Sequence, residues 1–187
     1  MECKGTLDKH GRDNLSRINR GQMPGSSQAA IAWNASLRGG PLPANPGLTT
    51  IEIGEAAGHG AVRGMFIMGE NPLMSDPDLQ KARKNFRNLD FLAVQDIFMT
   101  ETAEIADVVL PASSWAEKNG TFTNTDRRVQ RVRPFLPLPG EAREAHVIIS
   151  DLAKRKGTDL GATSSSAIFD EIARVTPSHA GLSHERL

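Results

Sequence analysis

From Thr49 onward, apolar and polar positions fall into alternating blocks, and the blocks predict helices and strands in turn. Thr49 and Glu52 have the S/T-x-x-E spacing of a capping box. It precedes a short helix that runs to about Ala57, where Gly58 and Gly60 end it. GMFIMGE follows, a continuous apolar run that predicts a strand buried on both faces. Asp76-Pro77-Asp78 opens the next helix with a cap residue, a proline at the first helical position and acid in the first turn. Leu79, Ala82, Phe86 and Leu89 share one face of it, and Lys81, Arg83, Lys84 and Arg87 supply the wet side. FLAV is the second strand, TETAEIA a short helix and VVL the third strand. Strands joined by helical crossovers run parallel, and the crossovers are right-handed. The expectation is an α/β fold: a Rossmann-like parallel sheet with flanking helices and a β-α-β-α-β core.

Beyond Pro111 the periodicity weakens. TFTNTDRRVQRV alternates β-branched and polar residues and predicts an extended or hairpin segment around Asn119-Gly120. PFLPLPG is a proline-rich connector. Residues 141–156 read as a helix with Ala145, Ile148, Ile149 and Leu152 as its buried stripe and Gly157 past its end. A Gly/Ser/Thr loop leads to a last helix near residues 167–174. Residues 1–47 carry few apolar positions and no steady period, so they are expected to form an irregular arm. Residues 48–175 are then one α/β domain and residues 176–187 a polar C-terminal tail.

Composition narrows the function. Lys plus Arg and Asp plus Glu balance at 22 each, so no global field favours nucleic acid or an anionic membrane. Function must come from a local site. Cys3, the sole cysteine of the 187 residues, has no partner for a disulfide and no CxxC context for zinc or an iron–sulfur cluster. No apolar run approaches the ~20 residues of a membrane span, and the N-terminus has no hydrophobic signal core. A cytoplasmic protein without membrane insertion is expected.

In an open parallel sheet, ligands sit outside the carboxyl ends of the strands. Here the first strand ends in Gly69-Glu70-Asn71-Pro72, the second in Gln95-Asp96, and the third runs into Pro111-Ala112-Ser113-Ser114. Gly69 lets a ligand approach the backbone, and Asn71 offers both donor and acceptor. Asp96 can accept paired N–H groups of a guanine edge or two ribose hydroxyls. Thr100 adds a hydroxyl beside free N–H groups at a helix start, and Lys118 can neutralise a pyrophosphate. These residues suit a nucleotide-like ligand. The usual dinucleotide modes are disfavoured, because no G-x-G-x-x-G follows any strand and no G-x-x-x-x-G-K-[ST] occurs. Each residue also has a plainer reading. Asn71-Pro72 makes a turn, Asp96 and Thr100 cap a helix, Lys118 lies in a solvated turn, and Arg127-Arg128 line a wet strand face. The agreement of three strand ends favours the ligand.

IMGENPLMSDPDL, LDFLAVQDIFMTETAEIADVVLPASSWAEKNGTFTNTDRRVQRV and PGLTTIEI resemble the alpha subunit of molybdopterin-dependent formate dehydrogenases, from about Trp33 to the end. The resemblance implies an enzyme that holds molybdenum or tungsten between two molybdopterin guanine dinucleotides. It oxidises formate to carbon dioxide and passes the electrons to an iron–sulfur cluster. It further implies that the present segment holds one guanine dinucleotide. By motif it does so through Asn71 in the GEN turn (Gly69, Glu70, Asn71), Gln95 and Asp96 after the second strand, and Lys118, with Ser113 and Thr100 as weaker candidates. An Asp that the family often carries early in the following helix is replaced by Ala145, with Glu144 beside it. The family's cluster cysteines and metal-ligating selenocysteine or cysteine have no counterpart here, so no catalytic or metal-ligating residue is expected on this chain. It is expected to work with the remaining domains or subunits of the oxidoreductase, as a fragment, a truncated product or a subunit. Two alternatives stand beside this. One is a cofactor-free scaffold, as in the large subunit of NADH–quinone oxidoreductase. The other is part of a nitrate reductase-like enzyme.

Overall fold

The capping box closes as its spacing predicts. The Glu52 N–H donates to Thr49 Oγ1 at 3.2 Å and the Thr49 N–H to the Glu52 carboxylate at 2.5 Å. Helix α1 spans Thr50–Gly58. A computed structural model describes residues 48–161 and 163–187, and the arm expected over residues 1–47 lies outside the described residues. The described chain divides into two compact units, residues 48–110 and 111–187.

In the first unit α1 leads to β1 (Gly64–Met68), α2 (Pro72–Ser75), α3 (Leu79–Phe86), β2 (Phe91–Asp96), a 3-10 turn (Ala103–Ile105) and β3 (Val108–Pro111, which ends at the boundary). The strands form one parallel sheet in the order β1-β2-β3. The register sets Gly64 opposite Phe91 and Met68 opposite Gln95. The two carboxyl ends therefore leave the sheet together, and the Gly69 N–H still donates to the Gln95 carbonyl at 2.9 Å. Met65, Ile67, Leu92 and Val94 pack with Ala57, Leu73, Ala82, Phe86 and Ala103 into one core. In β1 Met65 and Ile67 are buried while Phe66 and Met68 are half-buried, so the strand alternates where its unbroken apolar run implied two covered faces.

Three local departures have identifiable causes. Asp78, not Asp76, caps α3 by accepting the Lys81 N–H at 3.0 Å, because Asp76 spends its carboxylate on the Asp78 N–H at 2.9 Å. Pro77 thus precedes the cap. TETAEIA yields only a 3-10 turn. Thr100 Oγ1 accepts from the Ala103 N–H, and Asp107 then pairs through backbone and carboxylate with the two polar groups of Leu92, at 2.8 and 2.7 Å. A segment this short does not repay helix nucleation, and pairing with β2 takes over. Between β1 and α3, Pro72 starts the single-turn helix α2 that the periodicity did not reveal.

In the second unit β4 (Gly120–Thr123) pairs antiparallel with β5 (Val129–Val132). The reversal falls at residues 124–128 and not at Asn119-Gly120. Asn124 Oδ1 accepts the Arg128 N–H at 3.0 Å, and Arg127 takes the left-handed region at φ 63°. Helix α4 covers Ala145–Arg155, and Gly157 follows it at φ 78°. Its start is later than expected because residue 143 is held as extended chain. Arg143 donates to the Pro111 carbonyl and accepts from the Ser113 N–H, at 3.1 and 3.0 Å. Ser164 caps α5 (Ser165–Val175), and the His184 ring stacks on Phe169 at 5.3 Å. Among the described residues no helix is long and apolar enough to cross a membrane.

Candidate functional site

The carboxyl ends of β1 and β2 place six of the expected ligand residues, Gly69, Glu70, Asn71, Gln95, Asp96 and Thr100, at or just after the ends of two adjacent strands of the first unit. Their polar atoms have different fates. Asn71 Oδ1 accepts from the Thr102 N–H at 3.3 Å and from the Thr102 hydroxyl at 2.8 Å, and Asn71 Nδ2 donates to Glu101 Oε2 at 2.6 Å. The backbone N–H of Thr102 can only donate, so it fixes which end of the amide faces inward. Thr100 is turned to the Ala103 N–H. Asp96 Oδ1 accepts the N–H groups of Ile97 and Phe98, at 2.7 and 3.3 Å, as an Asx turn. Thr100 and one oxygen of Asp96 are thus engaged by backbone N–H groups of their own turn, neither as the N-cap residue of a helix. Asn71 is a tie between two turns.

Gln95 differs. It is 1% exposed, at the last register pair of β1 and β2, and neither its Oε1 nor its Nε2 has a hydrogen-bond partner. A buried amide left unpaired costs about 1–3 kcal/mol for each group, so its presence calls for an explanation. Beside it, Gly69 adopts φ 62°, and a Cβ built there would meet nothing within 4 Å. That position is open, and the left-handed backbone suits glycine. The turn continues through Ile97, Phe98 and Met99, three consecutive exposed apolar side chains, with Phe98 73% exposed.

The other two expected residues belong to the second unit. Ser113 is buried, and its hydroxyl has no partner. Lys118 is half-buried, with its ammonium 5.9 Å from the centre of the Phe122 ring. Glu144, considered as a substitute for the missing Asp, stands at the N-cap of α4 without capping it, and its carboxylate lies 3.4 Å from His146 Nδ1.

Two participants carried no sequence signal. Thr102 is fully buried, and besides its bonds to Asn71 its hydroxyl accepts the Leu73 N–H at 3.1 Å. Glu101 is held below its ordinary pKa, chiefly by the Asn71 amide and next by its own backbone N–H. Both act across about thirty residues, a distance no local pattern encodes. Among the described residues no three His, Cys, Asp or Glu side chains gather as a metal site. The arrangement offers an open glycine turn, a buried amide with free donor and acceptor, and an aspartate. That set is suited to the polar edge of a planar, nucleotide-like group.

A family model described as molybdopterin oxidoreductase matches residues 10–155. The chain is 49% identical over 148 residues to the F420-dependent formate dehydrogenase subunit alpha of Methanocaldococcus jannaschii, covering 78% of this chain and 22% of that protein. It is 40% identical over 158 residues to formate dehydrogenase H of Escherichia coli, covering 84% and 22%. Among solved structures, acetylene hydratase from Pelobacter acetylenicus shares the fold with a TM-score of 0.59 at 24% identity, over 86% of this chain and 23% of that one. The chain spans about a fifth of the length of the curated relatives it matches.

Proposed function

The chain belongs to the molybdopterin oxidoreductase family, and from that premise we propose that it supplies a guanine-dinucleotide-binding portion of a formate dehydrogenase-type enzyme. The observation that carries this reading is Gln95, whose amide is buried with both its donor and its acceptor unspent. A guanine presents donors and acceptors side by side on one edge, the complement of such an amide and of a neighbouring carboxylate. The residues of the first unit therefore fit the nucleotide end of the cofactor. Gln95 and the free oxygen of Asp96 would hold it, and Gly69 would let it approach the backbone. When bound, the molybdopterin and its metal would supply the two-electron chemistry that converts formate to carbon dioxide. This chain's part is to bind and orient. Burial of Gln95 excludes water from its amide, which strengthens any bond the ligand makes there. Ser113 and Lys118, which belong to the second unit, are proposed as cofactor-binding residues by motif alone. The exposed Ile97, Phe98 and Met99 support a role beside other domains or subunits of the same oxidoreductase.

The second reading, a cofactor-free scaffold, draws on Asn71 and Thr100, whose side chains are already engaged inside the protein. Gln95→Leu separates the two. The substitution keeps the volume and removes the unpaired amide, so the free chain gains about 1–3 kcal/mol. GDP, the handle of the proposed ligand, stabilises the wild type by about 2.7 kcal/mol at a hundredfold excess over its Kd. The substituted chain loses that response. Thermal unfolding with and without GDP reads both. An equal GDP response in the two chains, or none in the wild type, rejects the binding reading.

A further inference from the structure

The two ligand-facing turns are held together by one buried side chain. The Thr102 hydroxyl accepts the Leu73 N–H at 3.1 Å and donates to Asn71 Oδ1 at 2.8 Å, while its own N–H adds 3.3 Å to the same oxygen. Asn71 is the N-cap of α2 and Leu73 lies within it, directly after β1, while Thr102 belongs to the turn that leaves β2. Thr102 is fully buried, so water cannot substitute for either bond. Beyond the backbone bond from Gly69 to Gln95, another tie between the two strand ends is the exposed one from Asn71 Nδ2 to Glu101 Oε2 at 2.6 Å.

We infer that Thr102 is a positioning residue that sets the spacing of the Gly69–Asn71 and Asp96–Thr100 turns, and so determines how tightly the site grips its ligand without touching it. The inference rests on the guanine reading above. Its chemistry is specific. A hydroxyl is needed because one atom must accept from a backbone N–H and donate to an amide oxygen at once. Valine has the same shape and does neither, leaving the Leu73 N–H and Asn71 Oδ1 short of a partner. Serine restores both. Asn71 must be an amide for a related reason. Its oxygen serves Thr102, and its nitrogen faces the Glu101 carboxylate at 2.6 Å.

The test compares the wild-type chain with Thr102→Val and Thr102→Ser, by calorimetric titration with GDP and by amide hydrogen exchange at Leu73, Ile97 and Phe98. Thr102→Val should weaken GDP binding about tenfold and speed exchange in both turns about tenfold, the scale of one buried bond lost. Thr102→Ser should recover both. Where the valine variant does not fold, Asn71→Asp takes its place. It sets a second carboxylate against Glu101 and weakens GDP binding, and Asn71→Asp with Glu101→Gln restores it. Wild-type affinity in Thr102→Val, or exchange unchanged in both turns, overturns the positioning role. A wild-type chain that ignores GDP overturns the guanine reading instead, and exchange alone then decides whether Thr102 ties the turns.

Discussion

In residues 48–110 a buried threonine spends its hydroxyl and its backbone N–H on Asn71 and Leu73, and Met65, Ile67, Leu92 and Val94 of β1 and β2 meet in one core. In residues 111–187 the buried apolar side chains among the described residues are Ala116, Ala142, Ile148 and Phe169. Ser113 Oγ, Arg131 Nε and Nη1, Glu144 Oε2 and both ring nitrogens of His184 are closed from water without a hydrogen-bond partner. The first unit leaves one buried side chain, Gln95, unpaired among its described residues, and it stands at the carboxyl end of β2. Placement separates the two cases. The single orphan of the first unit lies at a strand end, where the proposed ligand would meet it. The orphans of the second unit are instead spread over several elements, from the segment after β3 to the C-terminal residues.

The largest effect should come from the core that makes the first unit self-sufficient. Leu92 is 2% exposed and packs among the residues of both strands. Leu92→Ala should cost about 3 kcal/mol in denaturant unfolding, from lost transfer energy plus the cavity left behind. A cost under about 1 kcal/mol would mean that the sheet is loosely packed, and the contrast between the units would dissolve.

Arg131 probes the other side. Its Nη2 donates to Asn119 Oδ1 at 3.2 Å, while Nε and Nη1 are buried without partners. Arg131→Met keeps the straight stem and removes a cation whose desolvation is poorly repaid, so stability should hold or rise by about 1 kcal/mol. A clear loss would show that the guanidinium is well paired in solution, and that the second unit is as complete as the first.

The smallest effect is the pH response of His184. Burial first, then the charge of Arg131, holds its imidazole below the ordinary histidine range. Within the window between the lowered and the ordinary value, the unfolded chain binds more protons. The stabilisation is thus full above the ordinary value and is lost as pH falls through the lowered one. Melting temperatures measured from about pH 7.5 to about pH 5 should fall, and His184→Phe, which keeps the stack on Phe169, should flatten that slope. An unchanged slope would mean the ring titrates freely.

Much of the first unit was legible in the chain because its determinants are local. Thr49 and Glu52 close their box three residues apart, and the apolar runs at residues 65–68 and 91–94 mark strands, although Phe91 at the start of β2 is exposed. Gly69 marks a left-handed turn. The candidate site was legible as an address, the carboxyl ends of two strands. It was not legible as a division of labour. Asn71, Thr100 and Asp96 are chemically as able to hold a ligand as Gln95, and nothing in their neighbours tells which of them the fold consumes. Asn71 is consumed because the register of β1 and β2 carries it to Thr102, thirty-one residues away. Gln95 is spared because that same register buries it where no other polar group reaches. The hairpin turn slipped from Asn119-Gly120 to residues 124–128 for a similar reason. Both sites could reverse the chain, and strand pairing chose the one that set Thr123 opposite Val129.

Periodicity, caps and glycines therefore determined, by sequence alone, most of the strands and helices and the carboxyl ends of the sheet where the candidate residues lie. Tertiary structure decided which polar side chains are spent holding those ends together and which remain unpaired. The physical reason is that a buried hydrogen bond needs two partners, and the second partner is supplied by whichever distant residue the packed core brings within 3 Å.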